Sequence, residues 1–234
     1  ELPRVGTASS TAGLSGIIDD PHQLRSMALA LAKGRVGELA IAFEQAGCNL
    51  VLQVMLCERL MRQYGELWAG DECTEIDMVL GLALAQSQFR LHRARYPAHA
   101  LADVGETVLV LPVPGERHTL GAGLAQACLE DKGFGVPASL PASRDQMVEL
   151  LGAQICNHAV IAGSGVFPRA HRIDHIRACS ELLRTLLPPG ASIGLYGQLA
   201  AVEPSLVQAC GCDYGVRSAM ALPRHIAPLR GALH

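Results

Sequence analysis

Aromatic residues are scarce in this chain: four tyrosines, four phenylalanines and one tryptophan among 234 residues. So few rings leave no stacking platform for nucleic-acid bases. Charge is thin as well, at 18% of residues, and it nets to −3, so there is no basic footprint for direct DNA or RNA binding. No apolar run reaches 18 residues. The longest uncharged stretch, Leu186 to Val202, is broken by Pro188, Pro189 and three glycines, which argues against a membrane span. The N-terminus lacks a basic-then-apolar signal pattern, so a cytoplasmic location is expected. Cysteine is not scarce, but its paired motifs are. The eight cysteines (48, 57, 73, 128, 156, 179, 210 and 212) include no Cys-x-x-Cys, so neither a zinc knuckle nor a thioredoxin-type site is indicated. Most lie in apolar runs and read as buried, reduced thiols.

What is present is apolar: half of the residues are hydrophobic, enough for a sizeable core. Residues 1 to about 19 are small and polar and read as a mobile tail. Asp19-Asp20-Pro21 then reads as a helix start. Four helical patterns follow over residues 20–98. The first runs through Leu24, Met27, Ala28 and Leu31. The second covers about 36 to 46 and stops at Gly47. The third starts near Asn49, and the fourth starts near Asp71 and ends before Pro97. Short joints make these an up-and-down four-helix bundle.

From residue 104 the pattern alternates. Strands are expected at Thr107–Pro112, Phe134–Ala138, Ala159–Gly163, Ile193–Gly197 and Asp213–Val216. Helices are expected between them, at Gly123–Leu129, about 143–154, about 173–187 and Pro204–Ala209. Five strands alternating with helices make a doubly wound, mostly parallel, flavodoxin-like α/β sheet. The expected organisation is therefore a tail (1–19), a helical bundle (20–98) and a Rossmann-like domain (104–234).

The stretch Glu116-Arg117-His118-Thr119-Leu120-Gly121 joins the first strand to its helix, at the carboxyl end of the strand, where open α/β sheets bind ligands. An imidazole there can face a metal while a nearby carboxylate holds its other nitrogen. Glu116 and His118 are therefore candidates for orienter and ligand. Two other clusters read as structural. His171-Arg-Ile-Asp174-His175 has the i, i+4 spacing of a metal pair but no evident third ligand. Arg90, His92, Arg93 and Arg95 complement a helix dipole.

Glu116-x-His118-x-x-Gly121 resembles the Asp/Glu-x-His-x-x-Gly signature of cobalamin-binding domains, and a helical bundle followed by a flavodoxin-like sheet is that family's architecture. The resemblance implies His118 as the lower ligand to cobalt and Glu116 as its hydrogen-bond partner. The cofactor's nucleotide tail would then lie between the sheet and its first helix, past Gly121, Gly123, Ser164 and Gly165. Of the family's Gly-Gly pair at the end of the next strand only Gly197 is present here; its neighbour is Tyr196. In the bundle, Leu67-Trp68-Ala-Gly-Asp71-Glu-Cys73 and Ile76 to Leu82 resemble a block of AerR-type (PpaA) photosynthesis antirepressors, shared with related haem-sensing domains. That likeness implies Trp68 as a cap over the upper cobalt face. It also implies a light-responsive antirepressor that acts on a DNA-binding repressor of photosynthesis genes. No Glu-His pair follows Trp68, so the upper histidine ligand of CarH-type photoreceptors has no counterpart. The alternatives are a corrinoid methyl carrier of a methyltransferase system, a haem-binding sensor and a module that binds neither cofactor. Methyl carriers continue the motif as Asp-Ile-Gly-Lys-Asn, where this chain has Thr-Leu-Gly-Ala-Gly.

Overall fold

A computed structural model describes residues 14–96, 105–113, 116, 118–141, 143–163, 169–198, 200 and 204–226. The chain divides into two compact units, residues 1–98 and 99–234.

Among the described residues the first unit holds a helical segment over residues 14–19 and then four longer helices: α1 (Pro21–Ala32), α2 (Gly37–Ala46), α3 (Leu50–Ala69) and α4 (Glu75–Arg95). Three of the four starts have a local cause in a side-chain cap. The Asp20 carboxylate accepts the backbone N–H groups of His22 and Gln23, with Pro21 at the first helical position. Asn49 caps α3 by accepting from the Leu52 N–H. Thr74 and Asp77 form a reciprocal capping box, so α4 begins at Glu75 and not near Asp71. Asp71 itself sits at φ 56°, in the left-handed region that ends a helix. α1 packs on α3 and α4, and α2 packs on both as well. Leu24, Met27, Leu31, Leu39, Phe43, Leu60, Tyr64, Met78 and Phe89 are buried there.

The tail expected over residues 1–19 is corrected for its last part. Residues 14–19 are helical, with Leu14 and Ile18 fully buried. Two apolar side chains four apart fasten this segment, a period that the small residues around them hide. The basic cluster on α4 also does more than face a dipole. His92 is buried; its Nε2 donates to the Gly47 carbonyl oxygen (2.7 Å), and its ring lies against Phe43 and Tyr96. Arg95 pairs with Glu44 of α2.

The second unit is an α/β layer structure with a parallel sheet. Its strands are β1 (Val108–Pro112), β2 (His158–Gly163), β3 (Ser192–Gly197) and β4 (Tyr214–Val216), in spatial order β1-β2-β3-β4. Among the described residues the sheet has four strands, not the expected five. The segment at Phe134–Ala138 reaches the outer edge of β1 through a single bridge, Thr107 to Gly135. Pro137 has no N–H to continue that ladder, and its carbonyl accepts from the Gln126 side chain instead.

Helices α5 (Leu120–Asp131), α6 (Arg144–Ala153), α7 (Arg169–Leu186), α8 (Pro204–Ala209) and α9 (Leu222–Ile226), with a 3-10 turn at Ala219–Ala221, cover the sheet. Strands buried on both faces read as continuous apolar runs, which is the form of β1 and β2. Leu109, Leu111, Ile161, Ile193 and Leu195 meet Met147 of α6 and Ile176, Cys179 and Leu183 of α7. The alternate residues face α5. That second face carries His158, Ser192, Gly194 and Tyr196, and it is where the polar side chains of the interior collect.

Candidate functional site

The carboxyl end of β1 leads straight into the Glu-x-His segment. Val113 extends the ladder by donating to the Ala162 carbonyl (3.2 Å), and the Glu116 N–H donates back to the Val113 carbonyl (2.9 Å). The chain thus turns tightly off the strand and brings Glu116 inward. Its side chain is 6% exposed. A carboxylate so deeply placed needs polar partners, and neither Glu116 nor His118 is without one. His118 is half-buried and directly precedes Thr119, the N-cap of α5. The strand fixes one end of this loop and α5 the other. The imidazole is therefore held at the rim of the sheet with part of its surface open.

The remaining sequence candidates separate. Gly121 lies in the first turn of α5, and a methyl group there would stand 3.6 Å from Cε1 of Tyr196, an ordinary contact. Gly123 faces open space. Gly197 has φ 123°, and a Cβ on it would come 2.2 Å from the Gly163 carbonyl oxygen, its register partner on β2. Glycine is therefore required at 197 by the backbone alone. Ser164 and Gly165 lie outside the described residues. Trp68 belongs to the other unit, in the last turn of α3, and is 42% exposed. Glu116, His118 and Gly121 thus follow one another between β1 and the first turn of α5, and the Tyr196 ring near the end of β3 approaches that turn at Gly121.

Sequence reasoning missed a polar seam on the same face of the sheet, at the amino ends of the strands. His158 Nδ1 lies 2.7 Å from the Ser192 hydroxyl, and its Nε2 lies 3.1 Å from Glu106. The carboxylate can only accept, so Nε2 carries the proton and Nδ1 accepts from Ser192. Carboxylate, imidazole and hydroxyl stand in the order of a nucleophile relay. Ser192 is only 5% exposed, however, so the network acts as a clamp between β2, β3 and the segment entering β1. Its members lie 34 and 52 residues apart, and no local pattern links them. Beside it, burial and then the Asp213 carboxylate push the Tyr214 phenol well above the ordinary tyrosine range. Its hydroxyl comes near Ser192 without meeting hydrogen-bond geometry.

A groove of 510 Å³ lies elsewhere, between α6 and α7, lined by Arg144, Met147, His175, Cys179 and Leu182 among others. His175 therefore borders this groove, while Asp174 pairs with Arg177 (3.6 Å), as a surface helix residue does. Among the described residues no three His, Cys, Asp or Glu side chains cluster as a metal site. His118 would be a single protein ligand, which suits a metal already held by a macrocycle rather than a bare ion.

The fold has known counterparts. The chain superposes on the monomethylamine corrinoid protein of Methanosarcina barkeri with a TM-score of 0.67, covering 93% of this chain and 99% of that one. At 15% identity this shows a shared fold and no more. A cobalamin-binding protein from Desulfitobacterium hafniense aligns over 88% of this chain and 98% of its own, at 15% identity and a TM-score of 0.43. The methanol:cobalamin methyltransferase complex MtaBC of M. barkeri aligns over 98% of this chain and 87% of its own, at 12% identity and 0.44. At those scores the likeness carries no weight. No family model matches the sequence, and no curated protein does.

Proposed function

We propose that this chain binds a corrinoid, with His118 as the lower axial ligand to cobalt and Glu116 holding the imidazole from behind. One observation carries the reading. A half-buried histidine, two residues after a buried glutamate, stands between the carboxyl end of β1 and the start of α5. It does so in a fold shared with a corrinoid protein. The donor set suits the group at this end: one imidazole, open on one side, at the rim of the sheet. When bound, the corrinoid supplies a cobalt centre with a second axial position and, if alkylated, a photolabile cobalt–carbon bond. The chain's own residues would fix the ring, with Gly121 and Gly123 offering approach to α5 and Gly197 standing at the end of β3; Ser164 and Gly165, which follow β2 in the sequence, are assigned to the cofactor by the resemblance alone. The exposed indole of Trp68 is the side chain we assign to the upper face of the corrin.

As output we propose contact with a DNA-binding transcriptional repressor, in the manner of a light-responsive antirepressor. Three features support a protein partner over DNA. They are the resemblance of the Trp68–Leu82 block, the net charge of −3, and the exposed apolar residues Ile76, Val79 and Leu80 at the start of α4. The fold shared with the M. barkeri corrinoid protein favours a second reading, a corrinoid carrier in a methyltransferase system, with the same ligand.

Reconstitution with hydroxocobalamin and with haemin, each followed by visible absorption, tests the cofactor. Corrinoid uptake by the wild type and its loss in His118→Ala is the expected result. Uptake of haemin alone, or unchanged corrinoid colour in His118→Ala, would overturn the reading. Methyl transfer with candidate partners, set against light-dependent repressor binding, separates the two outputs.

A further inference from the structure

The face of β3 toward α5 carries Ser192, Gly194 and Tyr196 in turn. Gly194 leaves bare backbone, but the space above it is filled: a Cβ there would lie 2.4 Å from Cζ of Tyr214. The Tyr214 ring is backed by His225, stacked at 5.3 Å between centroids and nearly parallel. Tyr196 closes the next position along the strand. It is 3% exposed, and its ring reaches the first turn of α5 beside Gly121. The space over this face of β3, as far as the first turn of α5, is thus packed with two tyrosine rings. As packed, this space does not fit a rod-like nucleotide pushed between sheet and helix.

We propose that Tyr196 is a selectivity residue of the corrinoid site, standing where a lower nucleotide tail would enter past Gly121 and penalising tailed corrinoids against tailless ones. The inference rests on the corrinoid reading above. Cobalamin carries a nucleotide ending in a benzimidazole, whereas cobinamide has the same ring and cobalt without it. For His118 to bind cobalt in cobalamin, the cofactor's own benzimidazole must leave the metal, whereas in cobinamide only water is displaced; that cost is the same for every variant of the chain. Only cobalamin requires Tyr196 to leave its packed position, and moving a buried ring forfeits its contacts. The Tyr196 penalty therefore appears in how the ratio of the two dissociation constants changes between variants, where the cost of displacing the base cancels.

The test titrates the full chain with hydroxocobalamin and with aquocobinamide, read by visible absorption, for wild type, Tyr196→Ala, Tyr196→Val and Tyr196→Phe. Relative to wild type, the ratio Kd(cobalamin)/Kd(cobinamide) should fall about tenfold or more in the Ala and Val variants, as a steric block is removed. It should be unchanged in Tyr196→Phe, which keeps the ring. Cobinamide affinity reports a folded site in every variant, and Val, at home in a strand, decides the matter if the Ala variant does not fold. A ratio unmoved in the smaller variants while both corrinoids bind overturns the role of Tyr196 alone. Failure of the wild type to bind either corrinoid overturns the corrinoid reading and this inference with it.

Discussion

Gly197→Ala separates what the backbone demands from what a ligand demands. The site glycines look alike in sequence, yet among those described, Gly121, Gly123 and Gly197, only Gly197 combines a positive φ with a blocked Cβ position. An alanine held at φ 123° costs about 1–3 kcal/mol in backbone strain alone. Its methyl carbon would also sit 2.2 Å from the Gly163 carbonyl oxygen, well inside van der Waals contact. The pair closes the β2–β3 ladder, so the strand ends can splay, at the cost of roughly one hydrogen bond, about 0.5–1.5 kcal/mol. The net loss should be about 2–4 kcal/mol, and a chain of this size loses about 2–4 °C in Tm per kcal/mol. Gly123→Ala is the matched control. It lies inside α5 with nothing within 4 Å of its Cβ position, and it should gain about 0.5–1 kcal/mol through helix propensity. Urea unfolding followed by circular dichroism measures both variants. A Gly197→Ala protein as stable as wild type, or less affected than Gly123→Ala, would refute the reasoning. A loss of corrinoid affinity in Gly123→Ala without loss of stability would assign that glycine to the cofactor.

Other expectations follow from the same contacts. Iodoacetamide at pH 8 should label exposed Cys48 fastest, because burial pushes the Cys179 and Cys212 thiols up to about 12 and also raises Cys57, Cys156 and Cys210; labelling of any of these five at the rate of Cys48, read by mass spectrometry, would contradict the packing. The Thr74 hydroxyl, then the Thr74 N–H, holds the Asp77 carboxyl below its ordinary value of 3.8. Its stabilisation is therefore full above that value and is lost as pH falls through the lowered one, so the stability gap between wild type and Asp77→Asn should narrow in acid; a gap that widens there is the contrary result. Ser192→Ala should cost about 1–2 kcal/mol, and less in a Glu106→Ala background, because both residues act through His158; strict additivity in a double-mutant cycle would break the network.

Much of the fold was legible because its signals are local. Asn49 and the run behind it announce α3, Pro188-Pro189 follows the end of α7 at Leu186, and the buried strands β1 and β2 are short apolar runs bounded by breakers. The errors arise where tertiary contacts override local pattern. The Phe134–Ala138 segment has strand-like composition but loses its ladder at Pro137. Leu14 and Ile18 are core residues inside a stretch that composition alone marks as loose. The short helical segment over residues 219–226 has no periodic run long enough to detect. The position of Glu116 and His118 between β1 and α5 was legible from the apolar run before them and the helical spacing after them. The polar seam and the tyrosine packing were not, because they join residues that only the sheet register brings together.

The same distinction bears on the block around Trp68. Gly81 in α4 is there for Tyr64: a Cβ would meet the phenol oxygen at 1.8 Å, and that hydroxyl, through the gap, donates to the Ala28 carbonyl of α1 (2.7 Å). Leu82 is core, Asp71 takes the left-handed turn, and Glu72 is gripped by Arg25. Each of these residues is explained by the packing of three helices and would be kept in any chain that folds this way, whatever it binds. Trp68 is different. It is the chain's one tryptophan, 42% exposed, and no ring contact engages it among the described residues. An indole 42% exposed leaves apolar surface that packing in its own unit does not use, and that surface is where a ligand or a partner could engage it. The functional weight of the resemblance therefore falls on Trp68. If Trp68→Ala leaves stability unchanged but weakens corrinoid or partner binding, the block marks function; if it affects neither, the block records only how α1, α3 and α4 pack.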